Sequence, residues 1–246
     1  GLGTRFLPAT KSMPKEMFPI VDKPLIQYAV EEAANAGIEQ FIFVTGRGKS
    51  AIENHFDHSI ELEKNLIKAD KKETLLVSQS MLKIPGSFVY VRQQEPAGLG
   101  HAIWCARHLI NNEPFVVILP DDLIAGNSII GDMISNYKSG NMLAIMNVDK
   151  TEVSSYGIIQ PGKIKKNIYE VKDMVEKPAI SDAPSQLAIV GRYVLDSKIF
   201  NVLGEMNKGS GGEIQLTDAI CSMIKKLGCY GYKFNEERYD CGSKLG

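Results

Sequence analysis

Two short runs in this chain are apolar from end to end, Phe41-Ile42-Phe43-Val44 and Phe115-Val116-Val117-Ile118-Leu119. A strand with no polar face has to be covered on both sides, as strands are inside a parallel sheet with helices above and below. Segments of helical spacing separate these runs. Pro24, Leu25, Ile26, Ala29, Val30 and Ala33 carry a helix to a stop at Gly37, and further helices are predicted over 102–109 and 129–137. Strands are also predicted over 84–91 and 143–148. The alternation to about residue 150 implies an α/β fold with a Rossmann-like three-layer sheet. Beyond it the chain becomes β-rich, with strands at 156–160, 168–175, 187–195 and 230–234 and helices at 197–203 and 214–226. No linker or repeat separates the halves, so 1–246 reads as one domain, its second half a subdomain or lid on the first.

The opening, Gly1-Leu2-Gly3-Thr4-Arg5, brings glycines, an arginine and, ten residues on, Lys15 within reach of one ligand. Glycine lets the backbone approach closely, successive N–H groups form an anion-binding concavity, and Arg and Lys add donors for phosphate. Taken alone, the Gly-Leu-Gly is better read as a structural turn; the Thr-Arg continuation and Lys15 reverse that and favour a triphosphate cradle. No GxxxxGK[ST] is present, and the third glycine of the dinucleotide fingerprint is missing. Because such a turn normally hangs from a strand, an apolar strand is expected before Gly1.

At 246 residues and 44% hydrophobic content the chain can bury a sizeable core. A formal charge of −1 gives no electrostatic case for nucleic acid or a membrane surface. The longest apolar runs are strand-sized rather than membrane-spanning. Cys105, Cys221, Cys229 and Cys241 have neither CxxC nor zinc spacing and read as free thiols in a reducing cytoplasm. His55 and His58 fall one turn apart in a charged helical stretch over 49–69; a solvated face explains them better than a metal pair.

Four segments could face one crevice: the opening, the glycine-rich loop Gln93 to His101, Asp121 after the strongest strand, and Glu176-Lys177-Pro178. A fifth, Asp240-Cys241-Gly242-Ser243-Lys244, closes the chain. Cations and two separated aspartates, without a nucleophile–base pair, suit phosphoryl or nucleotidyl transfer. There the attacking oxygen is already anionic, and catalysis reduces to positioning and charge stabilisation. Two aspartates with phosphate oxygens and water make a hard oxygen site for Mg²⁺.

The segments GLGTRFLPATKSMPKEMFPIVDKPLIQYAVEEA, VTGRGK, EPAGLGHAI, LPDD, SSYGII, VEKP, AIVGRY, GGEIQLTDAI and DCGSKLG, in this order, closely resemble the bacterial UTP–glucose-1-phosphate uridylyltransferases. The resemblance implies a Mg²⁺-dependent reaction of UTP with glucose 1-phosphate, giving UDP-glucose and pyrophosphate. It implies that Gly1, Gly3, Thr4 and Arg5 form the nucleotide-phosphate loop and that Lys15 is the catalytic lysine at the α-phosphate. Gln93 and Gly98 match the positions at the uracil edge, where an amide can donate and accept at once. Asp121 and Asp240 match the metal ligands. Gly157, Glu176, Lys177, Ile189 and Gly191 match the sugar-phosphate site. His101 is expected to shape its loop, and Glu213, Gln215 and Asp218 to form a helix start and interface. By the same resemblance, residues 1–150 hold the nucleotide and 151–246 the sugar phosphate, and a cytoplasmic homodimer or homotetramer is expected. Neither the family's lead strand nor its closing helical segment is in the sequence. The neighbouring thymidylyltransferases share the cradle, the aspartates and the sugar site, and differ by a pocket for one methyl. A non-catalytic nucleotide-sugar sensor would be expected to lack Lys15 or Asp121, and both are present.

Overall fold

A computed structural model describes residues 3–126, 128–207 and 212–243. After three single turns of 3-10 helix come two paired two-residue strands, β1 (Pro19–Ile20) and β2 (Lys23–Pro24), and helix α1 (Leu25–Asn35). Pro24 holds the extended conformation that precedes a helix, and Gly37, at φ 87°, turns the chain out of it. Leu25, Ile26, Ala29, Val30 and Ala33 form the buried face. Strand β3 (Phe41–Thr45) then pairs in parallel with β4 (Phe88–Arg92). Phe41 and Phe56 join Ile26 and Val30 in a core, with Phe43, Phe88 and Ile118 packed against it.

Between β3 and β4 the expected single helix over 49–69 is two, α2 (Ser50–His55) and α3 (Ile60–Lys68), followed by an unexpected α4 (Lys72–Ser78). The break falls where Glu63 reaches back to accept the Ser59 N–H at 3.0 Å, capping α3. His55 and His58 are thereby separated, His55 Nε2 lying against Gln27 Oε1 and His58 Nδ1 against Glu63. The strand expected from Ile84 begins only at Phe88, because Pro85-Gly86 (φ 88°) makes a turn and leaves Ile84 exposed. Helix α5 (Leu99–Cys105) starts earlier than expected, directly after Gly98.

A six-stranded mixed sheet follows, in the order β5-β10-β7-β11-β9-β8. Its strands are β5 (Phe115–Ile118), β7 (Asn141–Asn147), β8 (Gly157–Lys165), β9 (Ile168–Glu176), β10 (Leu187–Leu195) and β11 (Cys229–Lys233). β11 runs parallel to β7, and the other pairings are antiparallel. The Phe115 run, expected inside a parallel sheet, is therefore at one end of this order among the described residues, because β10 returns alongside it in the opposite direction. Alternate residues split the sheet into two faces. Leu143 and Ile145 pack with α5, α7 (Ile199–Glu205) and α8 (Leu216–Leu227); Met142 and Ala144 pack with α6 (Ile129–Asn136). The result is three layers. A separate antiparallel ribbon joins β6 (Asp122–Ala125), which follows β5, to β12 (Glu237–Asp240), placing Asp122 opposite Asp240.

Candidate active site

Gly3 takes φ 68°, and its carbonyl accepts from the Thr10 hydroxyl at 2.8 Å, so the opening turn is held by its own chain. Gly1 lies outside the described residues. Thr4 and Arg5 begin the 3-10 turn that follows, and Arg5 donates to the Gly242 carbonyl at 3.5 Å. Lys15 Nζ stands 2.5 Å from Asp121 Oδ2, and the Asp121 carbonyl accepts the Cys241 N–H at 2.8 Å. A Cβ on Gly242 would meet Asp240 Oδ1 at 3.0 Å and Asp121 Oδ2 at 3.1 Å. Arg5, Lys15, Asp121 and Asp240 therefore surround one point. Burial pushes the Asp121 carboxyl up, but the ammonium of Lys15 and its hydrogen bond prevail, holding it below the usual carboxylate range and ionised. Next to Lys15, Glu16 pairs at 2.5 Å with Lys49, tying the glycine loop after β3 to this centre.

The donor set at this point fits a divalent cation. Two carboxylate oxygens flank a position kept free of side chain by Gly242, and hard oxygen ligands suit Mg²⁺. No cluster of three or more His, Cys, Asp or Glu among the described residues could hold a metal, so phosphate oxygens and water would complete the shell.

Behind the aspartates lies a network absent from the sequence reading. Asp122 faces inward: Oδ2 accepts the Gly191 N–H at 2.8 Å, and Oδ1 pairs with the Arg238 guanidinium. Arg238 also donates to the Tyr156 hydroxyl at 3.0 Å. Arg192, 2% exposed, donates to the carbonyls of Leu119, Gly191 and Asp122 and to Glu32 on α1. One polar weld thus joins α1, the end of β5, β10 and the β6–β12 ribbon.

Tyr156 leads to the third cluster. Its carbonyl accepts the Lys177 N–H at 3.0 Å, and Lys177 takes φ 46°, a left-handed conformation unusual outside glycine. Glu176 Oε1 lies 3.7 Å from Lys177 Nζ, while Oε2 accepts from Thr217 at 2.7 Å. A Cβ on Gly157 would stand 3.1 Å from that same Oε2 and 3.2 Å from Ile189 Cδ1. Gly157, Glu176, Lys177 and Ile189 are thereby brought together; Gly191 sits nearer the aspartates, on Asp122. Burial, then the charge of Glu176, raises the Asp218 carboxyl, so the first turn of α8 faces this cluster. Tyr193 is pushed up by burial and then by Asp122 and Glu176, a phenol that feels both centres.

Gln93 continues from β4, its N–H bonded to the Thr45 carbonyl at 2.8 Å. Its Nε2 donates to the Gly98 carbonyl at 3.1 Å and lies 3.0 Å from His101 Nδ1. Gly98 needs both its positive φ of 98° and its lack of a side chain, since a Cβ would stand 2.8 Å from the Ile214 carbonyl. Two backbone bonds, Gly100 N–H to Ile214 and Ile214 N–H to Ala97, zip this loop to the segment before α8. Arg238, Tyr156, Thr217 and Arg192 escaped sequence reasoning. Each is an ordinary polar residue whose partner is distant in the chain.

The nucleotidyl transferase family profile matches residues 1–244. The UTP–glucose-1-phosphate uridylyltransferase of Pseudomonas aeruginosa is 50% identical over the whole of this chain and 90% of its own length. That of Bacillus subtilis is 49% identical over the whole of this chain and 85% of its own length, and one from Staphylococcus saprophyticus is 49% identical over the whole of this chain and 86% of its own length. Among solved structures, a UDP-glucose pyrophosphorylase complexed with UDP-glucose is 47% identical, covering 99% of this chain and 90% of its own, with a TM-score of 0.86. The UTP-bound enzyme of Acinetobacter baumannii is 40% identical, covers 100% and 87%, and has a TM-score of 0.91. A Bacillus anthracis structure provisionally assigned as a glucose-1-phosphate thymidylyltransferase, at 22% identity and a TM-score of 0.76, shares the fold alone. The chain belongs to the nucleotidyl transferase family, and within it to the UTP–glucose-1-phosphate uridylyltransferases.

Proposed function

We propose that this chain transfers the uridylyl group of UTP to α-D-glucose 1-phosphate, releasing pyrophosphate. The carrying observation is its match over its full length to relatives that bear this activity in their names. In this reading Gly3, Thr4 and Arg5 hold the triphosphate, and Gln93 and Gly98 meet the uracil edge. Gly157, Glu176, Ile189 and Gly191 line the sugar, and Lys177 holds its phosphate. An oxygen of the sugar phosphate attacks the α-phosphorus in line, forming the new P–O bond as the α–β bridging bond breaks. Lys15, whose Nζ lies 2.5 Å from Asp121 Oδ2, offers its ammonium to the α-phosphate, where negative charge builds up. Asp121 and Asp240 would hold Mg²⁺. When bound, the ion supplies charge neutralisation to the phosphate oxygens. Residues 1–150 serve the nucleotide and 151–246 the sugar phosphate. Cytoplasmic residence and a homodimer or homotetramer belong to the same proposal, on family resemblance.

The test is pyrophosphate release with glucose 1-phosphate and Mg²⁺, in parallel with UTP and dTTP. Release with UTP is expected, falling by about 10²–10³ in Lys15→Ala, as when one transition-state donor is removed. Preference for dTTP, or full activity in Lys15→Ala, would refute the reading.

A further inference from the structure

The Gln93 amide is held from two sides. The Gly98 carbonyl can only accept, so the group 3.1 Å from it must be the amide nitrogen and not the amide oxygen. That nitrogen has no lone pair to offer, so His101 Nδ1, 3.0 Å away, must accept from it. The imidazole is therefore neutral, with its proton on Nε2, which lies 4.0 Å from the Cys105 sulfur. Its ring stacks on Trp104 at 6.1 Å, and the Arg107 guanidinium lies 3.5 Å over the indole. Both amide protons of Gln93 are thus committed inside the loop. Its Oε1 takes no hydrogen bond from the described residues.

This alters what Gln93 can say to a base. A free glutamine turns over to present either an acceptor or a donor, and would accommodate both pyrimidines. We propose that His101 is a specificity-positioning residue: by holding Gln93 Nε2 it leaves the amide only an acceptor to present, and so selects a base whose ring N3 carries a proton. Uracil has N3–H to donate; cytosine has a lone pair there, which would face the lone pairs of Oε1. The inference rests on the reading that Gln93 meets the base edge. The zipper to Ile214 supports the loop independently of His101, so a change at this residue can leave the loop backbone in place.

The experiment is steady-state kinetics with UTP and with CTP at saturating glucose 1-phosphate and Mg²⁺. It compares the unaltered protein with His101→Phe, His101→Asn and Gln93→Ala. His101→Phe keeps a flat ring on Trp104 and removes the acceptor; His101→Asn restores an acceptor oxygen near the position of Nδ1. The expected result for His101→Phe is a KM for UTP raised about tenfold, with kcat within about twofold and the UTP/CTP ratio of kcat/KM lowered about tenfold or more. His101→Asn should recover both values to within about threefold, a rescue that loss of ring packing would not show. An unchanged UTP/CTP ratio in His101→Phe, with Gln93→Ala impaired, overturns the role of His101 and leaves Gln93 at the base. His101→Asn behaving like His101→Phe also overturns it. If Gln93→Ala leaves KM for UTP and the ratio unchanged, the reading of Gln93 itself fails and the inference with it.

Discussion

Replacing Arg238 by Met tests the weld behind the aspartates. Both partners of the Asp122–Arg238 pair are nearly dry, with side-chain exposures of 10% and 9%. In Arg238→Met, Asp122 stays buried with only the Gly191 N–H at 2.8 Å, while the Tyr156 hydroxyl loses its donor. Removing one member of a buried pair costs about 3–5 kcal/mol, because the remaining charge is uncompensated. For a chain of this size that lowers Tm by about 10 °C. Adding Asp122→Asn removes the stranded charge and keeps an acceptor for Gly191. The double variant is therefore expected to be about 2 kcal/mol more stable than Arg238→Met alone. Urea unfolding of the parent, both single variants and the double variant gives the cycle. A loss under about 1 kcal/mol in Arg238→Met, or strictly additive losses, would refute the argument that this pair is a coupled buried contact.

Thr217→Val removes the 2.7 Å donor to Glu176 at nearly constant volume. KM for glucose 1-phosphate should rise about three- to tenfold, with KM for UTP unchanged in the same kinetic runs. Gly191→Ala would drive a methyl into the Asp122 carboxylate and to 2.6 Å from Leu119 Cβ, both held in place. Urea melts should show about 1–3 kcal/mol lost. Burial lowers the His55 pKa, so the folded state prefers the neutral ring and the unfolded chain takes the proton first. Its contribution is present above the ordinary value of 6.5 and is lost as pH falls through the lowered one. Stability followed from pH 7 to 5 should fall less steeply in His55→Gln, which keeps a donor for Gln27, and an identical slope would rule His55 out.

The strand at Phe41 was legible because a wholly apolar run needs cover on both faces, and β3 pairs in parallel with β4 over a core. The run at Phe115 was legible as a strand but not in its setting, since an apolar run does not show which neighbour it will pair with or in which direction: β5 stands at one end of the six-stranded order and pairs antiparallel with β10. β6 and β12 were not. Each has four residues, too few for a period to register, and their pairing joins segments more than a hundred residues apart. α4 escaped because Leu76 and Val77 are exposed, so no buried stripe marks it. In the site, Lys15, Asp121 and Asp240 stand out as charges at chain turns. Thr217 and Arg238 do not, since a threonine in a helical first turn and an arginine in a polar strand have ordinary local explanations. The Gln93 amide was expected to donate and accept at once. Its donors are spent on Gly98 and His101, a commitment fixed by a helix start that a one-dimensional pattern does not orient.

The β6–β12 ribbon has a consequence for biosynthesis. During synthesis, the six-stranded sheet has all its members once β11 has emerged, and both helical layers can pack. The second aspartate arrives afterwards, at the end of the strand that zips onto β6. A nascent chain therefore acquires its architecture before Asp240 is set beside Asp121. After a cut between Lys233 and Glu237, non-covalent contacts alone, the ribbon pairing and the Arg238–Asp122 contact among them, would hold Asp240 beside Asp121.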